Sequence, residues 1–523
     1  MKKRLVSLAV AGLLLLTPLA ALPVSAQAQR ELNRLGSYTL YNNGHPDKAF
    51  EQVGEAFVSQ NDVGVSNKAI VNGLEDVSDF TARFTVTLDQ EGRAFCGLLF
   101  RTQSVGDSQD NVEGYQLLFD RIVGNDNVPR FDLSVHKFGP KTDASTACVY
   151  LGQVGSAVRP TTGRATDEAE SAILRPYGVA AGMKMTVEVT VIGRHIWAFA
   201  RVTDNPEVVS TTLNCELDAP ITGDTLNRYY EKGGIGLFAS TDSSHNIVNT
   251  LSDFEIVTNV TQVREGTFSK FDDFYFFSED TVTGFHTLSD GTLGGNGSGI
   301  KKALVRGCYE DGDITASVKL SRDADGNLEG GLMFHATDIL QWNDKMQGYS
   351  VYVRSYAEAP DRMELILYKY GPDLTGTCAY LGIISPTNGE GDASTYVSSG
   401  KKSLGDGVDS WTLKVKTTGS QVQAQLISED GKVFSPVLTY DTIGSAEGGS
   451  TDIKKAVFST GGLGVTMRRG TFTDFRIGEA QVGGFASGSI LLWIIVGSVG
   501  GVVVLAAVAV ILLARGKKKK KAP

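Results

Sequence analysis

The chain has 523 residues, 41% of them hydrophobic and 21% charged, and a formal net charge of −10. That is an ordinary globular composition with room for two or three domains. Three positive residues open the chain and six close it, so the long middle carries 19 net negative charges. A body so acidic excludes nucleic acid as a partner, because the phosphate term would be repulsive.

The first residues, Met-Lys-Lys-Arg, form a positive n-region, followed by an apolar stretch from Leu5 to Leu16 and small residues around Val24-Ser25-Ala26 and Ala26-Gln27-Ala28. This is the tripartite pattern of a secretory signal, 1–28, with cleavage after Ala26 or Ala28. At the far end 490–513 is an uncharged run of Ile, Leu, Val, Ala and Gly, the length needed to cross ~30 Å of hydrocarbon. Trp493 stands near its outer end, and the basic tail 514–523, with Arg515 and Lys517 to Lys521, follows directly. Basic flanks stay in the cytoplasm. The expected topology is a single-pass protein of the cell membrane, N-terminus outside and C-terminus cytoplasmic. Gly497 and Gly501 make a G-x-x-x-G pair able to seat a weak homodimer.

Between these ends one pattern occurs twice. Cys96-Gly-Leu-Leu-Phe-Arg101 matches Gly330-Gly-Leu-Met-Phe-His335, and Gly114-Tyr-Gln-Leu-Leu-Phe119 matches Gly348-Tyr-Ser-Val-Tyr-Val353. Phe131-Asp-Leu-Ser-Val-His-Lys-Phe-Gly-Pro140 matches Met363-Glu-Leu-Ile-Leu-Tyr-Lys-Tyr-Gly-Pro372. Cys148-Val-Tyr-Leu-Gly152 matches Cys378-Ala-Tyr-Leu-Gly382, Gly233-Gly-Ile-Gly236 matches Gly461-Gly-Leu-Gly464, and Ser252-Asp-Phe-Glu-Ile256 matches Thr473-Asp-Phe-Arg-Ile477. A unit this long is a whole domain, not a solenoid repeat. The boundaries read 31–258 for the first, 259–267 for a linker, 268–478 for the second and 479–489 for a Gly-rich stalk.

Each copy reads as β. Phe80 to Leu88 and Ile314 to Leu320 alternate and are β-branched; Met185 to Ile192 with Arg194 to Val202, and Trp411 to Thr418 with Ser420 to Ile427, are hairpins turning at Gly193 and Gly419. Many short strands with Gly-rich turns mean a sandwich or barrel. The fold class expected is all-β, two tandem jelly-roll β-sandwiches followed by one transmembrane α-helix.

Five cysteines in an exported chain permit disulfides. The expectation is a Cys308–Cys378 bond and a pair among Cys96, Cys148 and Cys215, with a buried free thiol as the alternative for each.

The ordered motifs, from Gly-Leu-Leu-Phe-Arg to Ser-Asp-Phe-Glu-Ile, resemble the concanavalin A-like, laminin-G-like jelly rolls, over nearly all of both copies and in a surface protein of bacterial type. The resemblance implies two facing antiparallel sheets and membership among lectins, carbohydrate-binding modules, adhesion proteins or some glycoside hydrolases. Those hydrolases carry Glu-x-Asp-x-x-Glu on one strand, as the chemistry of a sugar bond requires two acids; this sequence has no such motif, and no G-x-S-x-G, H-E-x-x-H or P-loop. A non-enzyme is expected. Calcium is common in the resembled folds, and Asp323-Ala-Asp-Gly-Asn327 has suitable oxygens, but the matching Asp89-Gln-Glu-Gly-Arg93 does not keep them. A hairpin turn is the simpler reading, and no other cofactor is implied.

Alternation sorts the strand faces. Tyr115, Leu117, Phe119, Phe131, Leu133 and Val135 share the inward parity in copy one, as do Leu332, Phe334, Tyr349, Val351, Val353, Met363, Leu365 and Leu367 in copy two. The opposite parity holds Arg101, Asp120 and His136, and His335, Tyr352, Arg354 and Tyr368. Aromatic, basic and acidic residues on one face suit a sugar, through ring stacking and hydrogen bonds to hydroxyls. The hairpin of copy one adds Trp197, beside His195, Phe199 and Arg201, where copy two has Gln421, Gln423 and Gln425. Arg101, Asp120, His136, Trp197, His335, Tyr352, Arg354 and Tyr368 are therefore the candidate ligand residues. The partner expected is an extracellular glycan or a surface protein; contact between the domains is the competing use of the Trp197 patch, and the competing functions are a purely structural scaffold and, ranked below it, a glycoside-processing enzyme.

Overall fold

Alternating β-branched and aromatic residues bury one side of each strand, so two sheets are needed to close each core. The computed structural model describes residues 32–42, 45–59, 66–106, 112–123, 129–139, 148–155, 181–218, 228–240, 247–278, 284–295, 299–339, 346–356, 359–371, 378–384, 407–431, 435, 437–443 and 456–478. They form four antiparallel sheets. Sheet I runs Tyr38–Tyr41, Asn67–Val71, Gly234–Ala239, Ala94–Val105, Val112–Val123, Pro129–Phe138, Cys148–Gly155. Sheet II runs Asn205–Val209, His195–Val202, Lys184–Ile192, Phe80–Thr87, Thr250–Thr258, Ala56–Ser59, Phe50–Val53, with Leu213–Glu216 added beside His195–Val202. Sheet III runs Leu438–Asp441, Gln421–Ser428, Ser410–Thr418, Thr315–Ser321, Thr471–Ile477, Leu293–Gly295, Phe285–Thr287, with Gly266–Phe268 on Thr471–Ile477. Sheet IV runs Phe274–Phe277, Lys301–Val305, Thr460–Arg469, Leu328–Thr337, Gln347–Tyr356, Ala359–Tyr370, Cys378–Ile384, with Glu310–Asp311 on Thr460–Arg469. Strand for strand, the order in sheet I is that of sheet IV, and the order in sheet II is that of sheet III.

The inward residues assigned by alternation meet in two cores. Tyr115, Leu117, Phe119, Leu133 and Val135 lie in the first, with Phe84, Val86 and Leu98. Leu332, Phe334, Tyr349, Val351, Val353, Met363, Leu365 and Leu367 lie in the second, around Trp411. The side chain of Phe131 lies outside the described ones.

The repeated glycines have a steric cause. Alternation breaks at matching bulges, between Phe100 and Ser104 and between Phe334 and Thr337, where Arg101 and His335 take left-handed backbone, φ +49° and +46°. A bulge re-aims the side chain that follows. Strands pass so close that a Cβ on Gly233 would sit 2.5 Å from Arg101 C, and one on Gly461 2.3 Å from His335 C. Only glycine fits there.

Cys96, Cys215 and Cys308 are free thiols. That corrects the expected Cys308–Cys378 bond and the pair among the first three cysteines. Cys308 is wholly buried in the second core, and burial pushes its thiol up to about 12, the behaviour of a small apolar filler. Among the described residues no helix is long and apolar enough to cross a membrane; the expected signal 1–28, the stalk 479–489, the span 490–513 with Gly497 and Gly501, and the tail 514–523 all lie outside them.

Candidate functional site

The bulge accounts for the first candidate. Arg101 does not face outward but closes one end of its sandwich, with its side chain 1% exposed. Its Nε donates to Ser78 O at 2.9 Å, one terminal nitrogen to Tyr229 Oη (2.9 Å) and Tyr230 O (3.2 Å), the other to Gly193 O (2.8 Å) and Asp79 Oδ1 (3.3 Å). A guanidinium so engaged is a strut. His335, on the equivalent bulge, is likewise buried, its Nε2 2.8 Å from Gly312 O, and burial lowers its pKa.

His136 is also buried, 2.9 Å from Ser134 Oγ and stacked with Phe138; burial pushes it down to about 4, so it is neutral. Asp120 is half-buried and paired in register with Asp132. At the equivalent place in copy two Arg354 meets Glu364 at 3.6 Å and donates to Tyr368 Oη at 2.9 Å. Tyr352 and Tyr368 pack edge to face, 6.1 Å between centroids, and are 5% and 8% exposed. Of this group Arg354 and Glu364 keep partial exposure, 30% and 26%. Tyr352, Arg354 and Tyr368 are thus brought together; Arg101, Asp120 and His136 belong to the other sandwich and do not join them.

Trp197 is in the joint between the sandwiches. It lies parallel to Tyr275, 5.9 Å away at 6°, and Phe199 meets the same ring at 6.1 Å. Ile192, Trp197 and Phe199 from sheet II share one buried cluster with Tyr275, Phe277, Leu304 and Met333 from sheet IV. Polar contacts surround it. Arg306 stands 4.7 Å over Phe199 and donates to the buried Glu188 at 2.5 Å, while Arg83 holds the other side of that carboxylate at 2.8 Å. Arg201 meets Asp272 at 2.7 Å, Thr212 N donates to Phe276 O at 2.8 Å and Asn214 to Ile339 O at 2.6 Å. The exposed aromatic patch expected from the hairpin is therefore covered by the second sandwich, the competing use named for it.

Sequence reasoning missed Tyr275, Arg306 and Glu188. A signal existed: Phe274-Tyr-Phe-Phe277 is apolar without alternation, and its strand is buried on both faces, the mark of a strand covered twice.

The turn with calcium-like oxygens is a hairpin. Asp323 Oδ1 accepts the amides of Asp325 (3.0 Å) and Asn327 (2.8 Å), and Asp89 Oδ1 accepts those of Glu91 and Arg93, both 2.8 Å. Among the described residues no three His, Cys, Asp or Glu side chains converge to hold a metal ion.

No family model matches the chain, and no curated protein does. Among solved structures it is similar to a carbohydrate-binding module, CBM66, from Bacillus subtilis, at 16% identity over 37% of this chain and 88% of that one, with a TM-score of 0.23. It is similar to the exoplasmic/lumenal domain of VIP36 in its Ca2+/Man3GlcNAc-bound form, at 9% identity over 45% and 91%, TM-score 0.28. It is also similar to lectin I-B4 from Griffonia simplicifolia in metal-free form, at 13% identity over 43% and 94%, TM-score 0.27.

Proposed function

We propose that this chain is a non-catalytic surface protein, held in a membrane through 490–513, whose two sandwiches are copies of one design fused into a rigid unit that displays and spaces. The observation that supports it is the joint: Trp197 and Phe199 are buried on Tyr275 and closed by the Arg306–Glu188 contact. Interfaces that are apolar and fully desolvated at their centre hold their partners in one orientation, whereas polar interdomain contacts leave the parts free to move. Small-angle scattering on the chain tests it. One fixed shape is expected, with the radius of gyration enlarged by Trp197→Ala; a wild-type profile that already requires many relative orientations sinks the reading. Protease added from outside should remove the acidic body and spare the lysine-rich tail.

A second reading is favoured by the partly exposed Arg354 and Glu364 beside the buried Tyr368: a planar cation and a carboxylate next to a ring on one sheet face suit an extracellular glycan. A glycan array with Arg354→Ala and Tyr368→Ala beside the wild type decides it. Binding lost in both supports a lectin; no binding by the wild type leaves the display reading alone.

A further inference from the structure

Sheets II and IV meet at the joint by their outer faces. The four sheets therefore follow one another in the order I, II, IV, III, and the outer face of sheet III forms one end of the unit. Charge on this face is reversed relative to sheet II. In the first sandwich Arg83 stands in register between Glu188 and Glu255, 2.8 Å and 4.0 Å from their carboxylates. In the second, Ser317 stands between Lys414 and Arg476, and Lys416 is the next residue on the same face. Arg476 and Lys416 are exposed and Lys414 is half-buried.

The acids at the margin of this face are engaged elsewhere. Glu429 holds Lys319 at 2.7 Å, Asp474 accepts from Ser269 at 3.2 Å, and Asp441 accepts the amide of Ile443 at 3.0 Å. The row of cations is thus a positive end on a body that carries 19 net negative charges. Its position along the chain matters as well. Thr471–Ile477, the strand of Arg476, is the last of the fold, and after Gly478 comes the stalk. The stalk, 479–489, has 11 residues, which span at most ~40 Å. This face is therefore tied close to 490–513.

We propose that the outer face of sheet III, through Arg476, Lys414 and Lys416, lies on the anionic headgroups of the bilayer that holds the chain. The inference rests on the reading of 490–513 as a membrane span. Each basic side chain held near an anionic surface is drawn to it. The short tether makes the contact intramolecular, so a weak attraction per charge suffices. Headgroup phosphates take the cations, while like charge keeps the rest of the acidic body off the surface. The first sandwich then stands outermost, and the joint holds it there.

The test places the full chain in nanodiscs of phosphatidylcholine alone or of an equal mixture with phosphatidylglycerol. Lysines are acetylated with a small reagent and read by peptide mass spectrometry. Acetylation needs the neutral amine, which an anionic surface disfavours, so Lys416 should react at least about threefold more slowly in the anionic discs. High salt should abolish the difference. The exposed Lys184 of the first sandwich should keep one rate throughout. Arg476→Glu should return Lys416 to its rate in neutral discs, and the milder Arg476→Gln should restore part of it. A chain that does not stay with the discs removes the anchor, and the docking with it. A chain that stays, with Lys416 equally fast in both discs or unmoved by Arg476→Glu, overturns the docking and leaves the anchor standing. Slowing by soluble polyphosphate with none by the anionic discs assigns the face to a soluble polyanion and likewise overturns it.

Discussion

The outer faces of sheets II and III share a strand order and do opposite things. Counting from Gly193 and Gly419, His195, Trp197 and Phe199 correspond to Gln421, Gln423 and Gln425, and Glu188 to Lys414. The partner face differs in the same way: Tyr275 and Arg306 of sheet IV correspond to Thr39 and Asn72 of sheet I, which hydrogen-bond each other at 2.6 Å. The joint is therefore head to tail, and each of its halves occurs once. A second joint of the same kind would have neither the ring pair nor the charge pair. Folding rests on what the two copies share, while their association is written in a few of the positions where they differ.

The largest expected effect tests that difference. Trp197→Ala removes a buried ring and should cost about 3–5 kcal/mol, splitting a single calorimetric transition into two; Gln423→Ala, at the matching place, should cost less than about 0.5 kcal/mol. Equal costs would mean that the joint carries no special load. Next come the shared positions. Gly233→Ala and Gly461→Ala each drive a Cβ into the bulge backbone and should each cost about 3 kcal/mol, read from denaturant midpoints. One harmless and one severe would break the equivalence of the two sandwiches. The third is pH. Burial depresses His136 and His195 to about 4 from 6.5, so the unfolded chain takes up protons first as pH falls. Stability is whole above about 6.5 and drops between 6.5 and 4, by about 1.4 kcal/mol per pH unit for each histidine. Both of these lie in the first sandwich; among the described residues of the second, burial also lowers the pKa of His335. The single melting transition should therefore fall in temperature between pH 7 and pH 4, most of the fall being owed to the first sandwich. The smallest effect is Arg306→Ala, about 1 kcal/mol, because Arg83 remains to neutralise Glu188; Lys414→Ala should not register.

Much of this was legible in the sequence. The two cores followed from strict alternation, since a strand half-buried in a sandwich repeats every two residues. The hairpins followed from Gly193 and Gly419, which sit at φ +56° and +58°. The candidate site was legible only in part, for two physical reasons. A bulge resets the period, so parity placed Arg101 and His335 on a face they do not occupy. Burial of an outer face depends on what lands on it, and no local pattern on the hairpin says that Tyr275 covers Trp197. Tyr352, Arg354 and Tyr368 were found together because their strands run unbroken past one another.

The sheet order also sets a timetable. Trp197 and Phe199 are synthesised early, but the sheet that covers them is held together by Thr460–Arg469, which pairs with both Lys301–Val305 and Leu328–Thr337. Until nearly the whole chain has emerged, the first sandwich stands folded with an adhesive face uncovered, a nascent-chain hazard of the kind that calls on chaperones. What ties the finished molecule together is made early and hidden late.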